Sequence, residues 1–246
     1  MGLHYFDKIN ELLKVVEKEE APAMAEATAL LIEGIEQGRS IYIFGASHAG
    51  ILVQEMFYRA GGLMTINPIF GKEIMLDNEP ITLTSQMERL PGYGTVLANQ
   101  VDFKEDDILI LHSVSGRNPV TIELAMVAQS QGAKVISITN MRYSKSTTSR
   151  HPSGKMLYNV SDIVIDNHGD IGDGACEIVG IEQRVGPSST VIGATILNGI
   201  VVEVCQGLVA NGMTYPPIFY SANLDGGDTL NQQLYETYKK TIHYRY

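Results

Sequence analysis

Ile41-Tyr42-Ile43-Phe44-Gly45-Ala46-Ser47-His48-Ala49-Gly50 is the stretch that decides the fold. Four apolar residues run into a turn of small ones. Ile51, Leu52, Met56 and Phe57 then follow at helical spacing. The pattern predicts a buried strand, a tight loop and a helix start. Small residues let backbone N–H groups come close to a ligand, and a helix N-terminus adds partial positive charge. Such a place attracts phosphate, and Ser47 sets a hydroxyl where the helix begins.

Upstream, Leu3, Phe6, Ile9, Leu12, Leu13 and Val16 fall on one face of a helix over 3–19, and a second helix is expected over 22–37, stopped by Gly38. Strand one spans 40–44, with its helix over 47–60 ended by Gly61-Gly62. Residues 63–70 read as a second strand whose Pro68 marks an edge. A helix near 84–90, a turn at 91–94 and a short helix over 94–100 follow. The next strand is 106–112, its loop is Ser113-Val114-Ser115-Gly116-Arg117-Asn118, and Pro119 opens a helix over 119–131. Strands at 134–139 and 162–166 flank a polar crossover at 144–155. A Gly- and Asp-rich loop with one hairpin covers 167–187. A long helix covers 188–211, with Ser188 or Ser189 as N-cap and Asn211-Gly212 as C-cap. Pro216-Pro217 breaks the chain before a closing helix over 228–241.

Strands alternating with helices imply a parallel sheet covered on both faces. The expected fold is a three-layer α/β/α sandwich with a five-stranded parallel sheet in the flavodoxin-like order 2-1-3-4-5. It is expected to be one domain over 1–246: N-terminal helices 3–37, an α/β core 40–211 and a C-terminal extension 212–246. That order sets the Ser47 loop and the Ser113–Asn118 loop side by side at the switch point, where such sheets bind ligands.

A net charge of −10 argues against nucleic acid, which needs clustered Lys and Arg. A small anion can still bind through backbone dipoles. Two cysteines, Cys176 and Cys205, imply no disulfide framework and suggest a cytoplasmic protein. No stretch reads as long and apolar enough to cross a membrane, and residues 1–14 lack the apolar block of a signal peptide. Asp166, Asp170 and Asp173 invite a metal reading, but Ile171 stands where a calcium loop needs Gly; no metal and no cofactor are expected. Gly-Ala-Ser-His-Ala falls short of a nucleophile elbow at Ala49, and Ser47 replaces the middle glycine of a dinucleotide fingerprint.

The pair Gly-Ala-Ser-His-Ala-Gly (45–50) and Ser-Val-Ser-Gly-Arg-Asn (113–118) resembles the sugar isomerase (SIS) domain, over about residues 5–210. Within that family it resembles the phosphoheptose isomerases and an uncharacterised phosphosugar-binding subgroup, the latter through residues 149–155, 186–190 and 221–228. The resemblance implies a phosphorylated sugar as ligand and a homodimer or homotetramer. It implies phosphate binding by Ser47, Ser113, Ser115 and Gly116, with Asn118 where the family has Ser or Thr; Arg117 is an added cation. It also implies aldose–ketose isomerisation by a glutamate on the first-loop helix, for which Glu55 lies one or two positions off, and a histidine on the last long helix. Residues 187–211 contain no histidine, and Glu203 is the charged group there.

His48, beside the cap, and His168, just past the last strand, are the candidates for the missing proton carrier. His112 reads as a core histidine. His151 and His168 could serve a neighbouring subunit. Glu177 and Glu182 are further candidates, and Glu203 is expected to be paired. The alternatives are a binding or sensor module without chemistry, and a lyase or etherase acting on an amino-sugar phosphate.

Overall fold

The computed structural model describes residues 3–246. In its five-stranded parallel sheet, β1 (Ile41–Gly45) lies between β2 (Ile66–Pro68) and β3 (Ile108–His112); β4 (Lys134–Thr139) and β5 (Ile163–Asp166) complete the order 2-1-3-4-5. Gly45 pairs with His112, and His112 with Ile138, so the chain leaves β1, β3 and β4 at one edge.

Side chains alternate across the sheet because the strand repeat is two residues. Ile41, Ile43, Ile108, Ile110, Ile136 and Ile138 face one layer of helices. That layer comprises α1 (His4–Glu19), α2 (Ala21–Glu36), α3 (Ile51–Met56) and α8 (Ser189–Ala210). Tyr42, Phe44, Leu109, Leu111 and Val135 face the other, built from α5 (Tyr93–Ala98) and α6 (Pro119–Ser130). The result is the expected three-layer sandwich. Each fully buried Ile or Phe contributes about 2 kcal/mol relative to exposure. The remaining elements are α4 (Thr82–Glu88), α7 (Met141–Lys145), the antiparallel hairpin β6 (Gly174–Cys176) and β7 (Val185–Pro187), and α9 (Gly227–Tyr238).

Several expected boundaries move. The helix after β1 begins with a 3-10 turn, Ser47–Gly50, and α3 ends at Met56 rather than near 60. Phe57 is extended and Tyr58 has φ 45°. Their rings are drawn onto Phe70 (5.7 Å), Tyr244 (4.9 Å) and Phe219 (5.4 Å), so tertiary packing overrides helix propensity. β3 starts at Ile108, because Asp106 has φ 63° and the Asp107 carboxylate accepts the Ser40 and Lys104 amides at 2.8 Å each. The crossover expected at 144–155 includes the end of α7, capped by the Asn140 side chain. The C-terminal helix ends at Tyr238.

The reading that no segment is long and apolar enough to span a membrane is corrected by α8, which meets that test by length and composition. It does so as the central helix of its layer: Ile192, Ile196, Ile200, Val204 and Leu208 are buried in the shared core.

β2 is also shorter than the expected 63–70. Residues 61–64 pair instead with the tail: Met64 N–H donates to Pro217 O at 2.7 Å, and Phe219 N–H to Gly62 O at 3.0 Å. Buried Asn67 fastens the tail again further on. It donates to Thr241 O at 2.8 Å and accepts the His243 amide at 2.6 Å. The edge of the sheet is thus covered by residues 217–244.

Candidate functional site

The loops after β1 and β3 meet at the carboxyl edge of the sheet and wall a cleft of about 510 Å³. Ser47, His48, Ser113, Ser115 and Asn118 line it, so two stretches far apart in sequence converge there. Loop one is folded hard on itself. A Cβ at Gly45 would lie 2.4 Å from the Ala49 carbonyl oxygen, which only glycine avoids. Ser47 has φ 51°, a left-handed backbone that is costly for a residue with a side chain. Its hydroxyl is buried without a hydrogen-bond partner.

Loop two turns its carbonyls outward into the protein. Thr139 Oγ1 donates to Ser113 O at 2.6 Å, Asn140 N–H to Val114 O at 3.0 Å, and Ser144 Oγ to Ser115 O at 2.9 Å. Leu157 N–H donates to Gly116 O at 2.8 Å, and Arg150 N–H to Arg117 O at 2.9 Å. Five successive carbonyls are thereby held, and the five amides of Val114 to Asn118 donate to no acceptor among the described residues. A run of unpartnered N–H groups is an anion-binding nest. Gly116 does not line the cleft itself. Its φ of 61° makes the turn, and a Cβ there would meet Ser144 Oγ at 3.0 Å. Asn118 accepts from Arg150 Nη1 at 2.8 Å through Oδ1, and its side chain also hydrogen-bonds the Glu88 carboxyl.

Of the expected proton carriers, only His48 lines the cleft. Glu55 projects from α3 towards α8, where it accepts from Asn198 Nδ2 at 3.1 Å and pairs with Arg59. His168 Nε2 bonds Glu20 Oε1 at 2.7 Å, at the junction of α1 and α2. His151 lies 3.7 Å from Glu123, the carboxylate that accepts the Gly92 and Thr95 amides at the start of α5. His112 is buried under loop one with its Nδ1 3.1 Å from Ala49 O. Burial lowers its pKa, against opposing pulls from that carbonyl and from Asp173. Glu177 pairs with Arg184, while Glu182 and Glu203 are exposed.

The three aspartates have separate tasks. Asp166 accepts the Met141 and His168 amides, Asp170 pairs with Arg142 and Arg184, and Asp173 accepts the Ser188 and Ser189 amides at the head of α8. Asp173 also lines the cleft, as do Glu88 and Tyr143. Burial raises the Glu88 carboxyl above its ordinary range, against the pull of Arg89. Glu88 has no motif to mark it. It closes α4 in the least patterned part of the chain, and only the fold brings it to the cleft.

The SIS domain family profile matches residues 4–140. A UPF0309 protein of Shouchella clausii is 48% identical over 240 residues, 98% of this chain and 97% of that one. A UPF0309 protein of Oceanobacillus iheyensis is 47% identical over 240 residues, with the same coverage. A phosphoheptose isomerase from Francisella tularensis superposes with a TM-score of 0.55 at 18% identity, covering 82% of this chain and 95% of that one. The phosphoheptose isomerase of Neisseria gonorrhoeae gives 0.51 at 16% identity, covering 84% and 96%. At those identities the structural likeness concerns the fold.

Proposed function

The chain belongs to the SIS domain family, and from that premise we propose that it binds a phosphorylated sugar in this cleft and interconverts its aldose and ketose forms. The observation that carries the reading is the run of partnerless amides from Val114 to Asn118 opposite the partnerless Ser47 hydroxyl. Buried donors without partners are costly, and a phosphate dianion satisfies many at once. Ser47, Ser113, Ser115 and Asn118 hold the phosphate. The sugar then extends past Glu88 and His48. Glu88, its carboxyl raised by burial, is suited to take a proton from the carbon beside the carbonyl and return it to the neighbouring carbon. His48 serves the sugar oxygens.

The same reading includes a homodimer or homotetramer. Leu13, Met24, Ala25, Ala29 and Ile200 line an apolar groove of about 640 Å³ between α1, α2 and α8. Exposed Val202 and Val209 continue along α8. A second copy related by a two-fold axis sets the same surface against itself.

A thermal-shift screen of aldose and ketose phosphates tests binding, since a ligand at a hundredfold excess over Kd stabilises the fold by about 2.7 kcal/mol. Product analysis then tests turnover, which Glu88→Gln abolishes while binding survives. No shift with any sugar phosphate overturns the reading. Binding without turnover favours a sensor, a reading supported by Glu55 being tied to Arg59 and Asn198 away from the cleft.

A further inference from the structure

Beyond the phosphate nest, the rim of the cleft carries three guanidinium groups against one nearby carboxylate, Glu88. Arg89 follows Glu88 at the end of α4, Arg117 adjoins Asn118 in loop two, and Arg150 lies in the segment after α7. Arg150 joins two of these positions, donating Nη1 to Asn118 Oδ1 at 2.8 Å and its amide to Arg117 O at 2.9 Å. Arg39, Arg59, Arg142 and Arg184 each pair with a carboxylate. Among the described residues, Arg89, Arg117 and Arg150 have no carboxylate partner, and Arg117 Nε is buried with no hydrogen bond at all. Burial and the nearby charges of Arg117 and Arg89 both push Arg150 below the usual guanidinium range.

A chain with a net charge of −10 has carboxylates to spare, yet among the described residues Glu88 is the one carboxylate whose charge reaches Arg150, beside the Tyr143 phenol. Three guanidinium groups held together repel one another unless an anion joins them. Their planar forks match a carboxylate or phosphate through paired N–H donors.

We propose that Arg89, Arg117 and Arg150 form a second anion site at the rim of the cleft, so that the ligand is a sugar phosphate bearing another anionic group, a carboxylate or a second phosphate, remote from the first. The inference rests on the phosphosugar reading above. Asn118 couples the two ends, with its backbone amide in the nest and its side-chain oxygen on Arg150.

Calorimetric titration of the full chain separates the possibilities with three probes. Glucitol 6-phosphate carries one anionic group; 6-phosphogluconate adds a carboxylate at the far end of the same carbon chain, and fructose 1,6-bisphosphate adds a phosphate. At least one doubly anionic probe is expected to bind about tenfold more tightly than glucitol 6-phosphate. Arg89→Gln should bring that ratio close to one. Arg150→Lys, which keeps the charge but loses the fork, should reduce it in part. If neither doubly anionic probe gains over glucitol 6-phosphate, or if the arginine variants weaken all probes alike, the second site is refuted and phosphosugar binding stands. If no probe binds, the phosphosugar reading fails and takes the second site with it.

Discussion

The cleft at the carboxyl edge and the groove between α1, α2 and α8 are both open surfaces, and they are incomplete in opposite ways. The cleft lacks hydrogen-bond partners: the Ser47 hydroxyl and five loop amides have none among the described residues. The groove lacks cover for Met24, Ala25, Ile32 and their neighbours. A polar deficit is relieved by one small anion in a fixed geometry. An apolar deficit is relieved by area of any matching shape. The first surface is therefore sensitive to single atoms, the second to charge and bulk.

Charging the groove should have the largest effect. Ala29→Glu places a carboxylate on an exposed helix position within it, leaving the monomer's core intact. An unpaired charge trapped in such an interface costs about 3–5 kcal/mol. Light scattering should show the assembly reduced to monomers, and sugar-phosphate binding by the monomer should test whether the cleft is complete in one chain. A wild-type chain that is monomeric at micromolar concentration would remove the groove's assigned role.

Gly45→Ala tests the cleft in the same way. The new Cβ would lie 2.4 Å from a backbone oxygen, so loop one must shift. A loss of about 3 kcal/mol in denaturant unfolding is expected, with phosphate binding lost as well. Ser47→Gly separates the two properties. It relieves the left-handed strain and should raise stability by about 1 kcal/mol. It also removes the hydroxyl and should weaken sugar-phosphate binding. Stability and affinity moving together would contradict the role given to Ser47.

The smallest effect concerns the floor of the cleft. The His112 pKa is lowered in the fold, so the unfolded chain takes up a proton that the fold excludes. Stability is then fully present above the unfolded value of about 6.5 and declines as pH falls from there towards the folded value. Melting temperature followed between pH 8 and 5 should show the decline, and His112→Asn should flatten it.

The sheet and its order were legible because apolar runs such as Ile41–Phe44 and Ile108–Leu111 can hardly be anything but buried strands. The two serine loops were legible because small and hydroxyl residues directly follow those runs. Helix phase was not. A 3-10 turn before α3 sets its orientation, and with it the direction of Glu55 towards Asn198. His168 lies at the ligand edge in sequence terms, but Glu20, 148 positions away, claims its ring. Glu88 reaches the cleft through packing of the least patterned segment, which no local periodicity encodes.

The tail that covers β2 has a consequence for synthesis. The edge strand lies early in the chain, while the residues that seal it, 217–244, are made long after it. Until the ribosome delivers them, the nascent protein exposes an unpaired border of the kind that recruits foreign strands. Chaperone dependence during translation, rather than fragility of the finished molecule, is where this arrangement should show itself.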